Sequence, residues 1–214
     1  MTPDRQSARM IDLASKAPVI PVIVVEEVAW AEPLARALVA GGLPVLEVTL
    51  RTAAALDVIQ AMTSVPGAFV GAGTVLNAED VHRAHRAGAT FAVSPGLTDA
   101  LIAPCEECGL PLLPGVATAS EAMQARDAGY QMLKFFPAGP AGGPNYLKAL
   151  GGPLPGLRFC PTGGVTPENA IDYLALPNVV CVGGSWVAPE AMMRAGDWAG
   201  IEALARQAAA LGRK

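Results

Sequence analysis

The chain of 214 residues predicts an α/β fold, a single (β/α)8 barrel of the TIM type with an extra N-terminal helix, on three observations. Short Val/Ile/Leu-rich runs alternate with longer Ala/Leu-rich helical patterns, the signature of βα units around a parallel sheet. Eight such runs occur, as an eight-stranded barrel requires. Gly42, Gly88, Gly109 and Gly129 each stand between a helical stretch and a strand, where a left-handed residue ends a helix. A doubly wound open sheet is the alternative topology. With 52% hydrophobic and 16% charged residues, 1–214 is expected to form one domain.

The elements follow in order. A helix over 4–16 precedes the first strand and would cap the bottom of the barrel. Residues 19–25 are apolar and, Pro21 apart, all Val or Ile, as a strand buried on both faces demands. Strands two to four are expected at 45–49, 68–71 and 90–93, the fourth being the weakest pattern. Asn77, ahead of Glu79 and Asp80, marks a helix start between the third and fourth. Strand five is expected at 110–113, and the helix after it opens on a capping box, Thr118 with Glu121. Strand six, 132–136, contains Lys134, and strand seven covers 157–160. Thr166 followed by Pro167 reads as the next helix start, because proline's missing amide proton costs nothing there. Strand eight is expected at 179–182.

A net charge of −4 without long charge runs excludes a nucleic-acid track or a polybasic anchor, so the expected partners are small molecules, with no nucleic acid and no membrane. The apolar run at 17–25 is too short to span a bilayer, and the N-terminus lacks the order of a signal peptide; cytoplasmic residence is expected. Cys105 and Cys108 share a helical stretch while Cys160 and Cys181 fall in strand patterns, poor spacing for zinc, so reduced packing thiols are expected. His82 and His85, the only histidines, read as a solvated helix face without an evident third ligand. No metal and no cofactor are expected.

Chemistry is legible in a few polar residues at strand ends, where a barrel carries its reacting groups. Lys134, one of four lysines, sits among Leu133, Phe135 and Phe136. A buried ammonium is costly, so such a lysine is paired, is neutral and nucleophilic, or packs its stem while its head reaches water. Glu47 interrupts an apolar strand and is followed by Arg51; it reads either as a general acid/base or as a member of an ion network with Arg51 or Lys134. The turns Gly163-Gly164 and Gly183-Gly184-Ser185 expose amides that can surround a phosphate near a helix N-terminus.

Six segments, VLEVTLRT (45–52), VGAGTVLN (70–77), SPG (94–96), LKFFPA (133–138), RFCPTGGV (158–165) and VGGSW (182–186), resemble the 2-keto-3-deoxy-6-phosphogluconate (KDPG) / 4-hydroxy-2-oxoglutarate (KHG) aldolase family. The resemblance runs in order over almost the whole chain. It implies a class I, metal-independent aldolase in which Lys134 forms the Schiff base and Glu47 moves protons. Arg51 and Thr74 would hold the pyruvyl carboxylate, and Pro95, Phe136 and Thr162 would shape the pocket. Gly163, Gly164, Gly184 and Ser185 would form the phosphate end. It further implies a homotrimer and a place in the Entner-Doudoroff pathway.

Two departures stand out. The first strand lacks the arginine that some relatives carry near its end, and 139–144 is unusually rich in Gly and Pro. Two readings compete with the aldolase: another phosphosugar-processing barrel, such as an epimerase or synthase, and a non-catalytic phosphate-ligand-binding barrel.

Overall fold

Parallel pairing organises every strand of the computed structural model, which describes residues 1–212; the last two residues of the expected 1–214 domain lie outside the described residues. Helix α1 (Pro3–Ala14) precedes β1 (Val19–Ile23), and α2 (Ala31–Ala40) leads to β2 (Val45–Thr49). Then come α3 (Ala55–Met62), β3 (Phe69–Gly73), α4 (Ala78–Arg86), β4 (Ala92–Val93), α5 (Asp99–Cys108), β5 (Leu112–Leu113) and β6 (Gly115–Val116). The chain continues through α6 (Ala119–Asp127), β7 (Met132–Phe135), α7 (Gly143–Leu150), β8 (Arg158–Pro161), α8 (Ala170–Leu174) and β9 (Val182–Gly184). It ends in α9 (Glu190–Ala195) and α10 (Trp198–Ala209).

Six strands form one sheet in the order β5-β4-β3-β2-β1-β9, and three form a second, β6-β7-β8. Single parallel bridges, Phe159 with Val179 and Thr162 with Gly183, connect β8 to the segment carrying β9. The expected fifth strand is in fact two, because Pro114 has no amide proton with which to continue the ladder. Its carbonyl still accepts from the Lys134 amide at 2.8 Å, so β7 stays in place beside the break.

Other boundaries moved in the same physical sense. β3 runs on through two glycines to Gly73, and β8 ends at Pro161. β9 begins only at Val182, since Val179 makes a single bridge to Phe159, whose carbonyl accepts from the Val180 amide, while the Val179 amide turns back to the Leu176 carbonyl. Thr166-Pro167 does not open a helix directly; these residues form a turn in which Asn169 Oδ1 accepts from the Thr166 amide at 2.8 Å, and α8 starts at Ala170. Two of the six residues of the Gly/Pro-rich stretch are helical, with Gly143 and Pro144 beginning α7.

Local signals read from the chain hold elsewhere. Gly42, Gly88, Gly109 and Gly129 all adopt positive φ, between 65° and 97°. Asn77 accepts from the Asp80 amide at 2.9 Å, and Thr118 with Glu121 forms a complete capping box, each cap worth about 1 kcal/mol.

Two apolar clusters follow from strand alternation. Leu46, Val48, Leu133, Phe135 and Phe159 face the helices. Ile20, Val45, Phe91, Val93, Leu113, Met132, Cys160 and Cys181 face the other way and meet Met10, Leu13 and Ala14 of α1. Helix α1 is tied there by polar bonds: Gln6 Oε1 accepts from the Leu112 amide at 3.1 Å, and Ser7 Oγ from the Gln131 amide at 2.9 Å.

Candidate active site

Alternation along two strands brings the key side chains together. On β2, Val45 belongs to the inner cluster while Leu46 and Val48 belong to the outer one, so Glu47 points inward. On β7, Met132 is inner and Leu133 and Phe135 outer, which turns Lys134 inward. Lys134 Nζ donates to Glu47 Oε1 at 3.1 Å, with side-chain exposures of only 8% and 4%. Of the three readings of Lys134, the buried pair is the one found. The ammonium also lies 5.3 Å from the centroid of the Phe136 ring, whose negative face favours a cation.

Space for the site is made by glycines: Gly73 and Gly115, which the sequence did not mark as site residues, and Gly183, which it marked only as part of a phosphate turn. A Cβ on Gly73 would stand 2.3 Å from Glu47 Oε1, and one on Gly183 would stand 2.2 Å from Thr162 Oγ1. Gly115, paired in register with Lys134, has the Pro95 carbonyl against it. A glycine inside a strand pattern signals close approach, and that signal was available in the chain.

The strand-end residues divide into groups. Leu50 bonds through its amide to the Gly73 carbonyl at 2.8 Å, which sets Arg51 and Thr74 at neighbouring strand ends. Arg51 is exposed and makes no ion pair among the described residues. Thr74 is held at φ 60°, a left-handed conformation that costs a β-branched residue about 1–3 kcal/mol. Thr162 is buried and follows β8, with its amide bonded to the Phe135 carbonyl at 2.9 Å. A Cβ on Gly163 would meet the Phe136 ring at 3.2 Å, so the Gly163-Gly164 turn lies against the wall that holds Lys134.

The amides of Gly163, Gly164 and Ser185 have no acceptor among the described residues. They do not belong to a first helical turn, since α8 and α9 begin only at Ala170 and Glu190. Gly184 packs under the Trp186 ring. Ser185 lines a cavity of about 270 Å³ with Val22, Glu26 and Glu190. Pro95 lines a cavity of about 580 Å³ with Gly115, Ile102 and Glu121. His82 and Cys108 approach each other at 3.3 Å away from these residues.

Comparison with known proteins agrees with this geometry. Residues 10–204 match the family described as KDPG and KHG aldolase. The chain is 54% identical over 200 residues to the 2-dehydro-3-deoxy-phosphogluconate aldolase of Pseudoalteromonas atlantica, covering 93% of each chain. It is 53% identical to the KHG/KDPG aldolase of Escherichia coli, covering 89% of this chain and 90% of that one. Among solved structures, the 2-keto-3-deoxy-6-phosphogluconate aldolase of Zymomonas mobilis with 3-phosphoglycerate superposes with TM-score 0.90 at 51% identity, covering 96% and 97%. The Legionella pneumophila KDPG aldolase, with pyruvate captured as a covalent carbinolamine, has TM-score 0.90 at 46% identity, covering 93% and 97%. Sequence, fold and inward-facing Lys134–Glu47 pair together identify the chain as a member of the KDPG and KHG aldolase family.

Proposed function

We propose that this protein is a class I aldolase that cleaves 2-keto-3-deoxy-6-phosphogluconate to pyruvate and glyceraldehyde 3-phosphate, and also takes 4-hydroxy-2-oxoglutarate to pyruvate and glyoxylate. The observation that carries this reading is the buried Lys134–Glu47 contact at 3.1 Å. An amine and a carboxylate held this close, away from water, are the two groups imine chemistry needs.

Glu47 accepts a proton from Lys134, and the freed amine attacks the C2 carbonyl of the keto acid to give a carbinolamine. Protonation of the carbinolamine hydroxyl by Glu47 expels water and leaves the iminium. Glu47, now a carboxylate again, removes the C4 hydroxyl proton through a bound water. The C3–C4 electron pair then moves toward the iminium nitrogen, the bond breaks, and the aldehyde leaves. Protonation of the enamine at C3 and hydrolysis of the imine release pyruvate and restore Lys134.

Arg51, unpaired and at the neighbouring strand end, forms charge-assisted hydrogen bonds to the pyruvyl carboxylate, and the strained Thr74 adds its hydroxyl. Phe136, Pro95 and Thr162 shape the pocket. The amides of Gly163, Gly164 and Ser185, with Gly184 beneath them, receive the phosphate.

The two sheets and their bridges are taken as one closed (β/α)8 barrel in a single domain, with α1 as the extra helix plugging its bottom. By resemblance the enzyme is a cytoplasmic homotrimer serving the Entner-Doudoroff route; none of the helices among the described residues is long and apolar enough to cross a membrane. The test is a comparison of cleavage rates for phosphorylated and unphosphorylated keto acids. Pyruvate release from both, with higher kcat/KM for the phosphorylated one, supports the assignment; release from neither would refute it.

A further inference from the structure

A cavity of about 570 Å³ lies at the amino end of β8, the end opposite to Thr162 and its glycine turn. Arg158, the first residue of β8, and Lys148 of α7 stand in its wall with Leu154, Leu157, Leu176 and Asn178. No acidic side chain lines it among the described residues, and neither cation is in an ion pair there. In a chain of net charge −4, two uncompensated cations beside an apolar wall make a local anion trap. The Arg158 guanidinium is held by its own bond to the Leu157 carbonyl at 3.2 Å, so it is partly ordered in advance.

Asn178 supplies a second, independent sign. Its side chain is buried, and Nδ2 donates to the Leu147 carbonyl at 2.9 Å, which fixes which way the amide faces. That leaves Oδ1 without a donor, and a buried acceptor in that state costs about 1–3 kcal/mol. Oδ1 is buried behind the cavity wall that Asn178 helps to line, so a ligand N–H reaches it only when that wall shifts. The volume falls in the usual range for small-molecule sites.

We propose that this cavity binds an organic phosphate with a flat apolar body and an N–H donor, the chemistry of a nucleoside monophosphate. Leu154, Leu157 and Leu176 cover the ring system, Lys148 and Arg158 hold the phosphate, and Asn178 accepts from the donor. Inorganic phosphate lacks the body that the leucines bury, and a neutral nucleoside lacks the charge that the cations need. The site is separate from the Lys134 wall, so occupancy does not depend on the aldolase assignment.

Titration calorimetry of the full chain with AMP, adenosine and inorganic phosphate tests this. Saturable one-to-one binding of AMP is expected, at least tenfold tighter than either control. It should weaken at least tenfold in Lys148→Ala/Arg158→Ala and also in Lys148→Glu, an exposed change that spares folding, while keto-acid cleavage stays unchanged. Absent AMP binding at millimolar concentration, or affinity equal in all three proteins, would overturn the proposal. Loss of AMP affinity in Lys134→Met rather than in the cavity variants would assign the nucleotide to the barrel mouth and equally refute it.

Discussion

Lys134 on β7 and Glu47 on β2 are 87 residues apart in the chain and belong to different sheets, yet their charged ends meet at 3.1 Å in a nearly dry interior. Each strand's alternation turns one charged side chain toward the same space. Under the proposed reaction the pair couples chemistry to fold stability.

Replacing one partner should expose that coupling. Lys134→Met leaves Glu47 buried without its cation, which costs about 3–5 kcal/mol, whereas Lys134→Met/Glu47→Gln removes both charges and should recover much of the loss. Urea denaturation of the two variants measures this. Cleavage should fall on the order of 10⁴-fold or more in both. A single variant as stable as wild type would show that the pair is not energetically coupled.

Glu47→Gln keeps the size of the side chain but cannot accept a proton. We expect kcat to fall about 10²–10⁴-fold with KM changed little, the pattern of a group that works in the reaction step. Steady-state kinetics separate the two constants. A raised KM with kcat intact would make Glu47 a binding residue only.

Gly73→Ala places a methyl group 2.3 Å from Glu47 Oε1, so the carboxylate must move. Misplacement by about 1 Å can cost on the order of 10² in rate, and kcat should drop accordingly. Gly152→Ala meets its nearest atom at 3.8 Å and serves as the neutral control. Equal activity in the two variants would contradict the packing argument.

Burial, reinforced by the charge of neighbouring Cys108, pushes the Cys105 thiol up to about 12. Below its ordinary value near 9 the thiol is protonated in folded and unfolded chains alike, and stability is independent of this group. As pH rises from there toward about 12, only the unfolded chain releases the proton, so stability declines. Denaturation midpoints in Cys105→Ala should fall less steeply over that window than in wild type; identical slopes would remove Cys105 from the alkaline transition.

Much of this was legible before any coordinates. Periodicity named β2 to its residue limits because Val45 to Thr49 is flanked by clear breaks, and positive φ at Gly42, Gly88, Gly109 and Gly129 follows from their place after helices. Lys134 and Glu47 stood out because charges interrupt apolar strands. What escaped was tertiary. Only neighbouring strands reveal that Pro114 splits a strand, that Val179 pairs too briefly to start one, or that Gly73 and Gly183 clear room for side chains across the interior. Pro95 went to the pocket by resemblance alone, and in the fold its carbonyl lies against Gly115, the register partner of Lys134.

We expect Lys134 to bond covalently to keto-acid carbon. Incubation with pyruvate followed by borohydride and peptide mass spectrometry tests it most directly. A reduced pyruvyl adduct is expected on Lys134, and none on Lys16 or Lys148; an unmodified Lys134 in protein that is actively cleaving substrate would overturn the Schiff-base assignment.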